Sequence, residues 1–457
     1  MAKDQLDTHQ HNVPHCLRLF WGFFINKATY FLPKGEFGRN ILVVANSNMI
    51  AQAIVMLSMP VLTRLYTPSD FGVLAVFSAV LSMLTVLAAL RYDWTLPIPE
   101  KDEEAVNLLV LSLFVVLVMG VLLGLGIGLA RNVLVRWSYL APIYRYLWLL
   151  PIGVWGAGGY QVLSVWVIRQ KDLRPLARTK VTQSLSGVLV KLGGGVLRVG
   201  SIGLLAGNLI AQIAGIRLLA VLIWRKQEAL IRSVRAQNLA VVARRYAPTA
   251  LFSCGSNLLN TAGLQLTPIL FSAYYGANEV GWFALSQRVV GIPIALIGNA
   301  VAQAFWAEAA RLIHIDPQAL QRLFFQATKR LLVVSLLVGL LGVVSPWVFG
   351  YVFGKENWQG AGIYTLYLTP LYVAQLIVSP ISHLVVHERQ QWQFLWDATR
   401  VLLVFICFLG ASVTYQSADL AILYYSIVMM ILYSILYGLN VWAIKLRIRS
   451  FTCNEQR

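Results

Sequence analysis

The chain has 457 residues and a formal net charge of +18, and 58% of its residues are hydrophobic while only 12% are charged. Soluble domains carry about 25% charged residues, so this composition excludes an ordinary soluble protein. Apolar runs of roughly 20 residues recur along the chain, and a helix of that length crosses the ~30 Å hydrocarbon core of a bilayer. Because the alternating pattern of a membrane β-barrel is missing, the sequence predicts an all-α integral membrane protein.

Residues 1–40 are predicted to form a cytoplasmic or interfacial N-terminal segment. The segment contains the apolar stretch LRLFWGFFINKATYFLP, which Lys27 interrupts and which no small-residue cleavage site follows. These features argue against a cleaved signal peptide. We therefore expect the segment to lie at the membrane surface.

Twelve transmembrane helices are predicted after this segment. They cover residues 41–63, 71–91, 106–130, 143–168, 180–197, 201–224, 246–272, 280–305, 330–353, 360–386, 392–413 and 419–444. Residues 225–245 are expected to form a cytoplasmic connecting segment with the character of an interfacial amphipathic helix. Residues 449–457 are expected to form a cytoplasmic tail.

The distribution of positive charge predicts the orientation. Most of the 37 Lys and Arg residues lie in segments that share a side of the membrane with the N-terminus. Cytoplasmic loops carry an excess of Lys and Arg, so both termini are predicted to be cytoplasmic. The acidic stretch EKDEEA, residues 100–105, then lies in a cytoplasmic loop before the third span. Carboxylates at that position favour the positive end of a helix dipole, which gives the stretch a structural role.

The chain also contains an internal repeat. The junction of spans one and two reads MPVLTRLYTPSDFGVLAVF, and the junction of spans seven and eight reads TPILFSAYYGANEVGWFAL, with Gly72 matching Gly281. Repeats of the same orientation are typical of transporters built from two halves. We predict two pseudo-symmetric six-helix halves, residues 41–224 and residues 246–448.

Polar residues occupy matching positions in the two halves. Asn48 and Gln52 are four residues apart and share one face of the first span. The offset of the repeat relates them to Ser256 and Asn260 on the seventh span. Such groups avoid hydrocarbon, so they either line a water-filled cavity or hydrogen-bond between helices. We take all four as candidate substrate-binding residues.

Charged residues at membrane depth are a second indication of a binding site. Arg288 lies near the middle of the eighth span, where a cation costs at least ~2.5 kcal/mol. An anion-binding role and a structural ion pair both explain it, and we take Arg288 as a binding candidate. Lys191 and Arg217 can extend toward an interface, so a structural role is preferred for both. Asp397 and Arg400 are three residues apart on one span and are expected to neutralise each other.

Two acids are candidates for proton or ion coupling. Asp93 lies beside Arg91 after the second span, and Glu308 lies near the cytoplasmic end of the eighth span. Ionisable groups at such positions are expensive unless they are paired or functional. We name Asp93 and Glu308 as the coupling candidates.

No motif of an enzyme site occurs in the sequence: HExxH, a phosphate-binding glycine loop and a Cys/His cluster are all missing. We therefore predict a transporter without catalytic residues, metal or cofactor, and without a nucleic-acid partner. Cations exceed acids at membrane depth, which indicates an anionic ligand. A pyrophosphate suits arginine, whose planar fork binds phosphate oxygens in a bidentate way.

The stretches LTRLYTPSDFGVLAVF, residues 62–77, and LRYDWTLPIPEKDEEAVNL, residues 90–108, closely resemble a known family. It comprises the oligosaccharide flippases of bacterial polysaccharide synthesis, the O-antigen flippase (Wzx-type) branch of the multidrug/oligosaccharidyl-lipid/polysaccharide (MOP) exporter superfamily. The resemblance implies a V-shaped bundle with a cationic central cavity and alternating access. It also implies that Arg91 and Asp93 lie at the cytoplasmic gate, and we include Arg91 among the substrate-binding candidates.

The same resemblance implies the substrate and the place of action. The substrate would be an undecaprenyl-pyrophosphate-linked oligosaccharide, carried across the bacterial inner membrane for O-antigen lipopolysaccharide, capsule or exopolysaccharide synthesis. Membrane lipids, a polysaccharide polymerase and a chain-length regulator are the expected partners.

Three other functions are possible for a chain of this kind. A drug or cation antiporter of the same superfamily would expose acids in its cavity, and this chain offers arginines. A flippase for the lipid-linked peptidoglycan precursor usually has two further helices. A polysaccharide polymerase or ligase would carry a large periplasmic loop, whereas the longest predicted outer connection, residues 131–142, is short.

Overall fold

The computed structural model describes residues 36–134, 138–382, 390–414 and 417–455. The predicted interfacial segment, residues 1–40, lies almost wholly outside the described residues. Within the described ranges every long element is an α-helix, which confirms the predicted all-α class.

Twelve long helical units occur in the described chain, and each overlaps one predicted span. They are α1 Glu36–Leu65, α2 Pro68–Ala88, α3 Asp102–Leu129, α4 Leu149–Arg169, α5 Arg174–Val196, α6 (two consecutive pieces, Ser201–Ile213 and Ile216–Arg232), α7 Ala236–Tyr275, α8 Ala277–Ile315, α9 Pro317–Phe353, α10 Lys355–Val378, α11 Gln390–Thr414 and α12 Ala418–Glu455. The predicted connection 225–245 is divided between the end of α6 and the start of α7.

Eight of these twelve units are long and apolar enough to cross a membrane by length and composition. The other four are α4, α5, α7 and α11. In two of these four helices polar residues lower the hydropathy: α5 contains the buried Lys191, and α7 contains Ser256 and Asn260. Polar side chains of this kind lower the hydropathy of a span that contacts other helices rather than lipid alone.

The starts of the helices follow from local chemistry. Thr67 precedes α2, and its hydroxyl accepts a hydrogen bond from the main-chain N–H of Asp70 while the Asp70 carboxylate accepts from the N–H of Thr67. This reciprocal capping box satisfies two main-chain donors that a helix start leaves free. The acidic stretch of the sequence supplies the first turn of α3 with Asp102, Glu103 and Glu104, at the positive end of the helix dipole.

The helices pack in two groups that α2 joins. In the first group α5 packs against α1 and α6, and α3 packs against α4; in the second, α10 packs against α9 and α12, and α7 packs against α11. α2 packs along both α7 and α8, whereas α1 has few contacts with α8. The face with the α1–α2 turn (residues 66–67) and Gly276 is called the turn face below. The face with residues 89–101 is called the acidic-loop face.

The repeat predicted from the sequence appears as a reciprocal contact. A Cβ on Gly72 of α2 would overlap the main chain of Ala277, and a Cβ on Gly281 of α8 would overlap the main chain of Pro68. Pro68 and Ala277 are the first residues of α2 and α8. The two equivalent glycines therefore allow the starts of the two equivalent helices to cross in backbone contact near the turn face.

Candidate functional site

A cavity of about 340 Å³ lies between α1, α2, α7 and α8. Seven of its lining residues are polar or charged: Asn48, Gln52, Ser78, Gln265, Gln287, Arg288 and Asn299. The remaining wall consists mainly of small and apolar side chains from α2 and α8. A pocket of this kind, apolar with a few converging polar groups, is typical of a ligand site.

Three of the predicted binding residues meet in this cavity. Asn48 and Gln52 line it from α1, and Arg288 lines it from α8. The four-residue spacing that predicted a shared face for Asn48 and Gln52 therefore places both on one wall. Among the lining residues Arg288 is the only ionisable group, and no carboxylate is present.

The contact at Gly72 and Gly281 closes the cavity toward the turn face. All the lining residues of α2 and α8 follow these glycines along their helices, beginning with Ala75 on α2 and Phe283 on α8. The cavity thus lies on the acidic-loop side of the crossing.

Ser256 and Asn260 lie outside the cavity lining. From α7 the cavity receives Gln265 and Pro268 instead. The side-chain oxygen of Asn260 accepts a hydrogen bond of 2.9 Å from Arg400, and its main-chain oxygen accepts a second of 3.1 Å from the same guanidinium.

Arg400 explains why Asn260 does not face the cavity. Its side chain is 5% exposed and forms an ion pair of 2.9 Å with Asp397, and its guanidinium lies 4.9 Å from the ring centroid of Trp396. The predicted Asp397–Arg400 pair is therefore present, and Asn260 satisfies a further donor of that guanidinium. A buried cation requires such partners.

Arg91 and Asp93 also lie apart from the cavity lining, beyond the end of α2. Arg91 is buried, its guanidinium lies 4.9 Å from the ring centroid of Trp94, and its φ of +64° is left-handed. Asp93 is 1% exposed and accepts a hydrogen bond of 2.8 Å from Gln161 of α4. The Nε of Arg91 and the Oδ1 of Asp93 are buried without a hydrogen-bond partner.

Burial changes the ionisation of both groups. Loss of water raises the pKa of the Asp93 carboxyl above its usual value, although the hydrogen bond from Gln161 and the charge of Arg91 oppose the change. Burial likewise lowers the pKa of the Arg91 guanidinium, against the opposing effect of Asp93. The pair is a tightly packed junction between α2, α4 and α7 rather than part of the cavity wall.

Glu308 is paired with its own helix. Its carboxylate accepts hydrogen bonds of 2.5 and 3.3 Å from Arg311, three residues later on α8. It does not line the cavity. The structure thus brings three of the eight candidate residues together in the cavity and places the other five outside its lining.

Part of the acidic stretch joins the first group of helices to α7. Asp102 forms an ion pair of 3.0 Å with Arg169 of α4. Glu104 forms an ion pair of 2.8 Å with Arg245 and accepts a hydrogen bond of 3.2 Å from the hydroxyl of Tyr246, both in the N-terminal half of α7. These contacts support the structural role that the sequence predicted for the stretch.

Four further polar residues of the lining were not predicted from the sequence: Ser78, Gln265, Gln287 and Asn299. Asn299 follows Arg288 by 11 residues, about three helical turns, so both lie on one face of α8. This spacing was a usable signal. An isolated glutamine such as Gln265 offers none, because uncharged amides also occur as hydrogen-bonding contacts between helices.

The fold is that of MOP-superfamily transporters. An inward-facing structure of a multidrug resistance MATE family transporter of that superfamily matches with a TM-score of 0.63 at 17% identity, over 89% of this chain and 96% of that chain. The Vibrio cholerae MATE transporter VcmN, solved as a mutant, matches with a TM-score of 0.54 at 12% identity, over 93% of this chain and 99% of that chain. Together with the apolar helices, this likeness defines a multi-pass membrane protein.

Sequence comparison adds the family. The family described as polysaccharide biosynthesis protein matches residues 61–363, and the chain belongs to it. The teichuronic acid biosynthesis protein TuaB of Bacillus subtilis (strain 168) is 28% identical over 203 residues, 44% of this chain and 41% of TuaB. The succinoglycan biosynthesis transport protein ExoT of Rhizobium meliloti (strain 1021) is 23% identical over 335 residues, 68% of this chain and 61% of ExoT. The match thus spans less than two thirds of either relative.

Proposed function

We propose that the protein is a flippase that carries undecaprenyl-pyrophosphate-linked oligosaccharides across the bacterial inner membrane for surface polysaccharide synthesis. The observation that carries the proposal is Arg288, a cation in a membrane-depth cavity whose lining has no carboxylate. A carboxylate-free cationic cavity favours an anionic substrate and disfavours a cation antiporter. Membership of the polysaccharide biosynthesis family supports a substrate made of sugars.

The side chains that line the cavity suit both parts of such a headgroup, the pyrophosphate and the sugars. The guanidinium of Arg288 binds phosphate oxygens in a bidentate way, and this interaction strengthens where water is scarce. The amides of Asn48, Gln52 and Gln287 both donate and accept hydrogen bonds, which suits sugar hydroxyls. No covalent step is needed, since the substrate leaves chemically unchanged.

The prenyl tail of such a substrate needs a lateral opening into lipid. α1 contacts α8 only sparsely, whereas α2 packs closely along α7 and α8. We infer that the headgroup enters the cavity between α1 and α8 while the tail stays in the bilayer. This route leaves the tight α2–α8 crossing closed during loading.

Alternating access follows from the position of that crossing. The excess of Lys and Arg supports a cytoplasmic acidic-loop face, so the cavity is open to the cytoplasmic half of the membrane. Separation of Gly72 from Ala277, and of Gly281 from Pro68, would then open the cavity to the periplasm. Asp93 is the coupling candidate whose environment supports a role in proton transfer, because burial raises the pKa of its carboxyl.

The first test is the leaflet on which the substrate accumulates in a strain lacking this protein. Sealed vesicles of each orientation are probed with a sugar-specific lectin. We expect accumulation on the cytoplasmic leaflet, cleared when the gene is restored. Accumulation on the periplasmic leaflet would contradict the proposal and reopen the polymerase or ligase alternative.

A matched pair of variants tests the site. Arg288→Gln should reduce clearance of the substrate at least ~tenfold, because a charge-assisted contact of ~1.5–3 kcal/mol is lost. Arg217→Gln removes an exposed cation of α6 and should clear the substrate at the wild-type rate. Equal clearance by both variants would remove the assignment of Arg288.

A further inference from the structure

The wall that α2 and α8 form around the cavity follows the internal repeat. Three pairs of lining residues keep the spacing that relates Gly72 to Gly281: Ala75 and Ala284, Ser78 and Gln287, and Ala79 and Arg288. The two equivalent helices therefore present equivalent positions to the same space.

The residues at these equivalent positions differ in size. On α8 they are Gln287 and Arg288, which have long polar side chains, whereas on α2 they are Ser78 and Ala79. A second arginine at Ala79 would occupy the cavity and repel the first. The small side chains of α2 thus leave space in a cavity whose lining contains one cation, Arg288.

The hydroxyl of Ser78 has a free donor. Its oxygen accepts a hydrogen bond of 3.4 Å from the side-chain amide of Asn208 on α6, and none of the described residues accepts a hydrogen bond from it. Ser82, one helical turn later, instead donates at 2.7 Å to the main-chain oxygen of Ser78, a common contact of serine within a helix. A hydroxyl has one donor and two acceptor sites, so the contact with Asn208 leaves the Ser78 O–H available to a ligand.

The group that suits Ser78 and Arg288 together is an anion. A guanidinium only donates hydrogen bonds, and an ionised phosphate oxygen only accepts them. Within the described part of the chain no carboxylate forms an ion pair with Arg288. A phosphate oxygen accepts from both a guanidinium and a hydroxyl, and hydrogen bonds to an ionised group are about twice as strong as neutral ones.

We propose that Ser78 is a binding residue of the anion site and donates a hydrogen bond to a phosphate group that Arg288 also binds. This inference rests on the proposed function and adds to it a contact from the first half of the chain. The two equivalent helices α2 and α8 then hold the same phosphate group from equivalent positions, one through a hydroxyl and the other through a charge.

Binding by the purified protein in nanodiscs tests the assignment, with undecaprenyl pyrophosphate as the probe. Ser78→Ala should weaken binding about tenfold, because a hydrogen bond to a charged group is lost. Ser78→Thr keeps the hydroxyl and should restore most of the affinity. Ser82→Ala is the matched control, since it removes the same group from the next turn of α2, outside the cavity lining. Wild-type affinity in Ser78→Ala would overturn the proposal.

Protection from labelling provides an independent readout, which decides even if Ser78→Ala is too unstable to measure. The variants Ser78→Cys and Ser82→Cys are treated with a small maleimide with and without saturating undecaprenyl pyrophosphate. The wild-type protein gives the background from its own cysteines. We expect the lipid to slow labelling of Ser78→Cys and to leave labelling of Ser82→Cys unchanged. Equal rates for Ser78→Cys with and without bound lipid would reject the contact.

The outcomes separate this inference from the proposed function. Weak binding by Arg288→Gln together with wild-type binding by Ser78→Ala would reject Ser78 and leave the flippase site intact. Wild-type binding by both variants would reject the anion site and the proposed function with it. Inorganic pyrophosphate distinguishes the source of the phosphate: protection of Ser78→Cys by this ion and not by the lipid would support the contact and reject the lipid as substrate.

Discussion

The indole N–H of Trp358 donates a hydrogen bond of 2.8 Å to the main-chain oxygen of Thr63. Thr63 belongs to α1 and Trp358 to α10, so the bond joins the two groups of helices near the turn face. The ring of Phe71 packs edge-on against Trp358 at 5.0 Å. With the Gly72 and Gly281 crossing, these contacts form what we call the turn-face seal.

Trp358→Phe should weaken the seal. The substitution keeps an aromatic ring but leaves the Thr63 oxygen without its buried donor, which costs ~1–3 kcal/mol of stability. A cysteine at Ala75, below the seal, should then react faster with a membrane-impermeant maleimide applied from the turn face. Trp347→Phe is the matched control, because Trp347 is 72% exposed on α9. Equal labelling rates in both variants would argue against the seal.

Gly281→Ala should force the starts of α2 and α8 apart. Its Cβ would overlap the main chain of Pro68, which cannot move aside as a flexible side chain can. Overpacking of this kind costs typically ~1–3 kcal/mol. Gly255→Ala, where no atom lies within 4 Å of the added Cβ, should be neutral or slightly stabilising, since alanine favours a helix by ~1 kcal/mol. Thermal unfolding in detergent compares the two, and similar melting temperatures would contradict the predicted contact.

Arg400→Met should destabilise the protein far more than the loss of an exposed cation. It leaves the partly buried Asp397 carboxylate without its ion-pair partner, and breaking a buried pair costs ~3–5 kcal/mol. Adding Asp397→Asn should restore much of the stability because the unpaired charge disappears. Arg217→Met measures the effect of removing an exposed arginine. A double variant as unstable as the single one would show that packing, not charge, dominates.

Asp93→Asn should change how stability depends on pH. Burial raises the pKa of the Asp93 carboxyl above its usual 3.8, so the folded state favours the neutral form. The native carboxylate is therefore destabilising at neutral pH, and the asparagine variant should be more stable there. As pH falls through the folded-state pKa toward the unfolded value, Asp93 becomes protonated and the two melting curves should converge.

The opposite effect of Asp93→Asn on stability would also be informative. If Asp93→Asn is less stable at neutral pH and the difference disappears in acid, the charged form is the one that the fold stabilises. Asp93 would then be an ion-pair partner of Arg91, and its candidacy for proton coupling would lose its support.

The sequence predicts the helices well because each needs only a long apolar run. Every predicted span overlaps one of α1–α12. The ends are less accurate, since helices such as α7 and α8 continue beyond the apolar core: α7 begins at Ala236 and α8 ends at Ile315. Apolarity shows where lipid surrounds a helix and says little about where the helix stops.

The cavity is only partly predictable. Asn48 and Gln52 share a face by helical geometry, and Arg288 is conspicuous as a cation at membrane depth. The repeat relates Asn260 to Gln52, but a repeat relates backbones, and the side chain of Asn260 binds Arg400 from α11 instead. No pattern in the sequence of α7 reveals that contact.

Reconstitution in proteoliposomes tests directly whether the protein is a flippase. The purified protein is incorporated into vesicles that contain an undecaprenyl-pyrophosphate oligosaccharide from the host strain, and exposure of the sugar to an external lectin is followed over time. We expect protein-dependent exchange between leaflets that Arg288→Gln slows at least ~tenfold and Arg217→Gln leaves unchanged. Exchange at the rate of protein-free vesicles, with correctly folded wild-type protein present, would contradict this expectation.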